Sequence, residues 1–143
     1  QIISEIKVPY ILMHLRGTPN NMMTKTNYNN LILNLIEYFD EKITKLKSHG
    51  VNDIIIDPGF GFAKDFDQNY DLLHNLNLFN ILDLPILVGL SRKSFVKKKY
   101  GVDNSLEGTL HLNKIAIENG ANIIRVHDVL EHHNLIKSFI NNS

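Results

Sequence analysis

Four short apolar runs, each ending in a polar or glycine-rich turn, limit what this chain can fold into. They are Val8-Pro-Tyr-Ile-Leu-Met13, Asp53-Ile-Ile-Ile-Asp57, Pro85-Ile-Leu-Val-Gly89 and Asn122-Ile-Ile-Arg-Val-His127. Short runs rich in β-branched residues, nearly continuous rather than alternating, read as strands buried on both faces, the habit of parallel sheets. Their ends, at residues 13, 57, 89 and 127, are 44, 32 and 38 residues apart. Each interval has room for a helix and two loops, the crossover that parallel neighbours require.

Helical periodicity fills the intervals. From Tyr28 to His49, Ile32, Leu35, Ile36, Phe39, Ile43 and Leu46 recur at three- and four-residue steps, closed by Gly50. A second helix is expected over Gln68 to Leu76 with Leu72, Leu73 and Leu76 inward, and a third after a Ser105 cap, stopping at Gly120. A last helix is expected near Leu130 to Ile140. Alternating strands and helices predict a parallel α/β fold, either a doubly wound sheet or a (β/α)₈ barrel. A barrel takes ~250 residues, so four strand–helix units would be half of one.

Composition excludes several classes. The chain has 143 residues, with fifteen basic against fifteen acidic side chains, so no global field draws it to nucleic acid or an acidic membrane. With no cysteine there is no disulfide, thiolate metal site or thiol nucleophile. That fits a reducing compartment, and a cytoplasmic location is expected. Leu84-Pro-Ile-Leu-Val-Gly-Leu90 is far shorter than the ~20 residues of a membrane span. The chain opens at Gln1 with neither initiator Met nor secretory leader, and is expected to be a piece of a longer protein.

Chemistry gathers where the runs end. Asp57-Pro-Gly-Phe-Gly-Phe-Ala-Lys64 sets a carboxylate at a strand tip, where parallel sheets bind ligands, and its glycines allow a sharp bend. Buried there, Asp57 needs donors, which a ligand with an amidine- or guanidine-like edge would supply; a helix cap or an ion pair with Lys64 would also satisfy it. Gly89-Leu-Ser-Arg-Lys-Ser94 puts cations and hydroxyls at a helix start, suited to an anion or simply a capped helix. Lys97, Lys98 and Lys99 read as its solvated basic face. Arg125 and His127, two apart in a strand, share a face, and an Arg fork beside a second donor suits phosphate. Met13 suits a core or a flat ring equally. His14 lacks partners at metal-ligand spacing and reads as structural or surface, and His132-His133 as surface.

Together these segments resemble dihydropteroate synthase, the pterin-binding barrel family of folate biosynthesis. The resemblance rests on Leu12-Met-His-Leu-Arg-Gly-Thr-Pro19, Ile56-Asp-Pro-Gly-Phe-Gly-Phe62, Val88-Gly-Leu-Ser-Arg-Lys-Ser94, Gly108-Thr109 and Arg125-Val-His-Asp-Val129, in family order. It implies that residues 1–143 are the C-terminal portion of one pterin-binding barrel domain, its strands five to eight. It implies a transferase joining 6-hydroxymethyl-7,8-dihydropterin diphosphate to 4-aminobenzoate and releasing pyrophosphate. Asp57 and Lys93 would be the catalytic pair on the pterin, with Met13, Phe62 and Gly89 lining its ring. Ser91 and Arg92 would lie near the aminobenzoate, and Arg125 and His127 would hold the pyrophosphate. A Mg²⁺ cofactor is expected on an Asn of the absent first half, and no metal ligand within this segment. A homodimer is expected for the full-length protein.

Two departures from the family stand out: Ala63, where Gly is common, and His111-Leu112, where small residues are usual. Four strands alone leave two open sheet edges, so activity is expected only with the first half present. Two other readings stay open, a pterin-binding methyltransferase on the same barrel and a non-catalytic half-barrel. The Ser-Arg-Lys loop favours a diphosphate substrate over the methyltransferase. A nucleic-acid module is disfavoured, because the lysines are local and no aromatics interleave with them.

Overall fold

A computed structural model describes residues 2–18 and 20–140. Strand β1 (Tyr10–Met13) pairs in parallel with β2 (Ile54–Asp57), in a register that sets Met13 beside Asp57. Strand β3 (Leu87–Val88) pairs in parallel with β4 (Ile123–Ile124), and a parallel bridge between Ile56 and Ile86 joins the two pairs. The described strands therefore follow chain order, all parallel, in an α/β architecture.

The strands are shorter than the apolar runs, for local reasons. Pro9 and Pro85 have no N–H to give a ladder. Beside Pro85, the Asn122 side chain replaces a backbone acceptor, taking the Ile86 N–H at 2.9 Å. Arg125 and His127 lie just beyond β4, although the Arg125 N–H still reaches Val88 O at 2.8 Å. Both residues thus sit in a loop that continues the strand direction.

The first helix, α1 (Ile2–Ile6), has no counterpart in the sequence pattern. The long helix α2 (Leu31–Ser48) starts three residues later than its apolar stripe suggests, because the Asn30 side chain caps it through the Leu33 N–H. Tyr28 instead crosses the fold, its hydroxyl donating to Ala63 O at 3.0 Å. Leu31, Ile32, Leu35, Phe39 and Ile43 are the buried face of α2. Each such side chain contributes about 1.5–3 kcal/mol relative to exposure.

Helix α3 (Phe66–His74) begins two residues before the expected Gln68, because Asp65 and Gln68 form a reciprocal capping box. Leu76 falls in a following 3₁₀ segment, Leu76–Leu82. Helix α4 (Ser94–Tyr100) carries the exposed lysines, with Lys98 and Lys99 poised over the Phe66 and Tyr70 rings at 4.6 and 4.2 Å. Helix α5 (Ser105–Glu118) has Asn104, not Ser105, at its N-cap position, and Gly120 (φ +96°) follows its end. Gly108 is where α4 and α5 meet: a Cβ there would stand 2.5 Å from the Tyr100 ring.

Helix α6 (Val129–Ile140) corrects one expectation: His132 is buried, not on the surface. Adjacent helical residues point about 100° apart, so His133 faces out while His132 turns in toward Asn113, 2.8 Å from its Nδ2.

Candidate active site at the strand ends

The loop after β2 is built around buried polar groups. Asp57 is only 6% exposed, and its Oδ1 accepts the Gly59 N–H at 2.8 Å. Gly59 and Gly61 have φ of +73° and +76°, the left-handed region that glycine enters without strain. A Cβ at Gly59 would lie 2.3 Å from His14 O, so the turn lies directly against the end of β1. Farther on, Asn69 accepts the Gly61 N–H at 2.7 Å and donates to Asp65 O at 2.6 Å.

Burial raises the pKa of Asp57 above the usual carboxylate value; the Gly59 N–H and the charges of Lys93, Arg125 and Lys64 oppose the shift. The reading of Asp57 as an ion-pair partner of Lys64 fails, since no such pair forms among the described residues. Lys64 donates instead to Gly59 O at 3.0 Å and Phe62 O at 3.1 Å, and lies 3.2 Å from His14 Nδ1. Burial lowers its pKa to about 7. His14 is 4% exposed and therefore structural; burial first, then Lys64 and Arg16, lower its pKa to about 3.

Lys93 joins the loops. Its Nζ donates to Phe60 O and lies 4.7 Å from the Phe62 ring centroid, while its stem passes close to Gly61. Burial lowers its pKa to about 8; Asp57 opposes that shift and Arg125 adds to it. Gly89 leaves space for the Arg125 guanidinium, whose Nη2 would be 2.8 Å from a Cβ there. Ser91 Oγ lies 2.9 Å from His127 Nδ1 and accepts the His127 N–H at 3.3 Å. Gly89, Ser91, Lys93, Arg125, Val126 and His127 line a cavity of about 80 Å³, against roughly 30 Å³ for one water in the liquid.

Asp57, Phe62, Gly89, Ser91, Lys93, Arg125 and His127 are thus brought together, and Met13 is in register with Asp57. Arg92 turns outward. Its φ is +54°, its N–H reaches Thr109 Oγ1 at 3.1 Å, and its guanidinium grips Asp128 at 2.5 and 3.0 Å. A larger cleft of about 510 Å³ lies between the end of β1 and α2, lined by His14, Arg16, Tyr28 and Tyr38 among others. It shares none of the cation cluster, and the smaller cavity is where the chemistry converges. Among the described residues no three His, Asp or Glu side chains are placed to cage a metal ion.

Sequence reasoning passed over Asn69 and gave Lys64 only as an alternative ion-pair partner of Asp57. Asn69 did leave a signal: it precedes Leu72 and Leu73 by three and four residues, which puts it on the inward stripe of α3.

The family described as pterin binding enzyme matches residues 1–127. The chain belongs to that family. It is 40% identical over 141 residues to the bifunctional dihydropteroate synthase/dihydropteroate reductase of Helicobacter pylori, covering 97% of this chain and 37% of that protein. It is 40% identical over 132 residues to the dihydropteroate synthase of Escherichia coli, covering 90% of this chain and 47% of that protein. A crystal structure of dihydropteroate synthase from Thermus thermophilus superposes with a TM-score of 0.94 at 28% identity, over 98% of this chain and 58% of that one. The chain spans about half the length of the curated relatives it matches.

Proposed function

We propose that this chain is the C-terminal half of a single (β/α)₈ barrel domain with dihydropteroate synthase activity. The amine of 4-aminobenzoate attacks the methylene carbon of 6-hydroxymethyl-7,8-dihydropterin diphosphate. A C–N bond forms, the C–O bond breaks, pyrophosphate leaves with the electron pair, and the amine proton passes to water. The observation that carries this reading is the convergence of Ser91, Lys93, Arg125 and His127 on one small cavity beside the buried Asp57 carboxylate. A Thermus thermophilus dihydropteroate synthase in complex with 4-aminobenzoate has the same fold over 98% of this chain, with a TM-score of 0.93.

Roles follow from the chemistry of each group. Asp57 accepts N–H groups from the amino-pyrimidine edge of the pterin, and Met13, Phe62 and Gly89 lie along its ring. Lys93 places a cation against the same ring. Arg125 and His127, with Ser91 holding the imidazole, stabilise the negative charge that grows on the leaving group. Arg92 would meet the aminobenzoate carboxylate with Ser91 only if its guanidinium left Asp128.

Mg²⁺ would be held by an Asn of the barrel's first half, where it would offset the charge of the diphosphate. We also propose a cytoplasmic enzyme that acts as a homodimer. The test is pyrophosphate release by the complete barrel with both substrates present and with each omitted. Release that needs both supports the synthase. Methyl transfer from a methylated folate to a corrinoid, without release, would establish the methyltransferase reading, and inactivity on every substrate would leave a non-catalytic half-barrel.

A further inference from the structure

Lys64 stands apart from the other lysines in the site. It is 1% exposed, yet no carboxylate pairs with it among the described residues. An ammonium so deeply buried is costly unless acceptors surround it. It has three: Gly59 O, Phe62 O and His14 Nδ1, at 3.0, 3.1 and 3.2 Å, one for each of its N–H donors. It therefore ties the end of β1 to both ends of the Gly59–Phe62 turn.

Each tie bears on the ligand side of the turn. Gly59, whose carbonyl Lys64 holds, gives its own N–H to Asp57 Oδ1. Phe62, whose carbonyl Lys64 also holds, presents its ring to Lys93. The charge of Lys64 acts on Asp57 as well, in the direction that keeps it ionised. A buried apolar side chain of the same length would fill the space at lower desolvation cost, but it could hold neither carbonyl.

We propose that Lys64 is a positioning residue for the pterin: it fixes the turn that aims Asp57 and Phe62 at the ring. This rests on the reading of the strand ends as a pterin site. It also explains why the ammonium meets backbone carbonyls and a neutral imidazole rather than an acid, since a carboxylate partner would compete with Asp57 for the local positive charge.

Lys64→Met in the complete barrel keeps the stem and removes the three donors. The KM for the pterin diphosphate should rise about tenfold or more, while the KM for 4-aminobenzoate at saturating pterin stays within about twofold. The acid limb of kcat/KM for the pterin should also move to higher pH. Lys64, Lys93 and Arg125 face Asp57, and losing one cation lets the carboxyl take its proton at higher pH. A merely structural lysine would instead lower the active fraction and kcat, with both KM values and the acid limb unmoved, and that result overturns the proposal. If Lys64→Met does not fold, Lys64→Gln, which keeps two donors, reads the same split at smaller amplitude, and an unchanged pterin KM there overturns it equally. An inactive wild-type barrel would refute the synthase reading itself, whereas an active wild type with an unmoved variant refutes only the role of Lys64.

Discussion

The loop after β2 and the loop after β4 serve one site but are held in different ways. After β2, the polar side chains Asp57, Lys64 and Asn69 are buried, and each is engaged by backbone groups of its own turn or of the start of α3. After β4, Arg125 and His127 are exposed, and their side chains lie against Gly89 and Ser91 of the neighbouring strand end. The first loop has met the cost of desolvating its polar groups on folding. The second keeps the Arg125 charge in water, where charges interact weakly until a ligand excludes solvent. On the proposed reading, the first loop is the preformed slot for a flat ring and the second the open end that a diphosphate would desolvate.

Breaking the preformed end should cost most. Asp57→Asn in the complete barrel replaces a charged acceptor that the pterin edge would use twice. At ~1.5–3 kcal/mol per charge-assisted bond, partial loss of both lowers pterin affinity by about a hundredfold. Calorimetry with the pterin alone reads this directly, and unchanged affinity would remove Asp57 from the site. The fold should survive, because Asn still accepts the Gly59 N–H.

At the exposed end the expected loss is smaller. Arg125→Lys keeps the charge and gives up the fork that meets two phosphate oxygens at once. Losing about one charged hydrogen bond, ~1.5 kcal/mol, lowers kcat/KM for the diphosphate substrate roughly tenfold. Steady-state kinetics beside thermal melts separate this from a stability role. A lowered Tm with kcat/KM intact would make Arg125 a packing residue.

The contrast also separates what could be read in the sequence from what could not. Strand-tip logic located Asp57, Lys93, Arg125 and His127, because apolar runs, glycines and charges are local signals. Spacing gave parallel strands but left a doubly wound sheet and a barrel both open, and only the motifs at the strand ends pointed to strands in chain order. The burial of Lys64 and His132 escaped, since such a side chain is buried only when partners distant in sequence meet it, and Asn69 escaped as a polar residue on an apolar stripe. For Lys64 one partner is His14, fifty residues away; for His132 it is Asn113, whose Nδ2 donates to the imidazole. Arg92 lies next to Ser91 and Lys93 in sequence, yet its positive φ and its grip on Asp128 turn it from the cavity.

The buried pair at the β1–β2 end should also register in stability against pH. The pKa of His14 falls from 6.5 to about 3 on folding, so the unfolded chain takes its proton first, and stability drops as pH falls from about 6.5 toward 3. The pKa of Lys64 falls from 10.5 to about 7, so the unfolded chain holds its proton longer, and stability climbs as pH rises from about 7 to 10.5. Asp57, raised, works the other way just above pH 3.8, where the folded form binds its proton first. Thermal melts across this range should show Tm climbing through both windows. Lys64→Met should remove the part of the alkaline rise that begins near pH 7, leaving the part from about pH 8 that buried Lys93 contributes, and should leave a smaller climb below pH 6.5, since Lys64 also depresses His14. A wild-type profile that is flat on both sides would mean that neither group is desolvated on folding.

The smallest effect concerns the one residue of the preformed loop that sits there at a conformational cost. Ala63 is fully buried with φ +49°, in the left-handed region, and its carbonyl accepts the Tyr28 hydroxyl. An L-residue with a Cβ pays ~1–2 kcal/mol for that conformation. Glycine removes the cost but gives the unfolded chain more freedom, worth ~0.4–1 kcal/mol in the other direction. Ala63→Gly should therefore stabilise the protein by about 0.5 kcal/mol net, and the methyl lost from the buried site reduces even that. Because the Ala63 carbonyl is backbone, the Tyr28 bond and the turn persist, and pterin affinity should stay within about twofold. Chemical denaturation of the two proteins side by side measures the difference. A clear loss of stability would show that the methyl packs too well to spare. A clear loss of pterin affinity would show that the strained alanine, and not only the Lys64 clamp, holds the turn in shape.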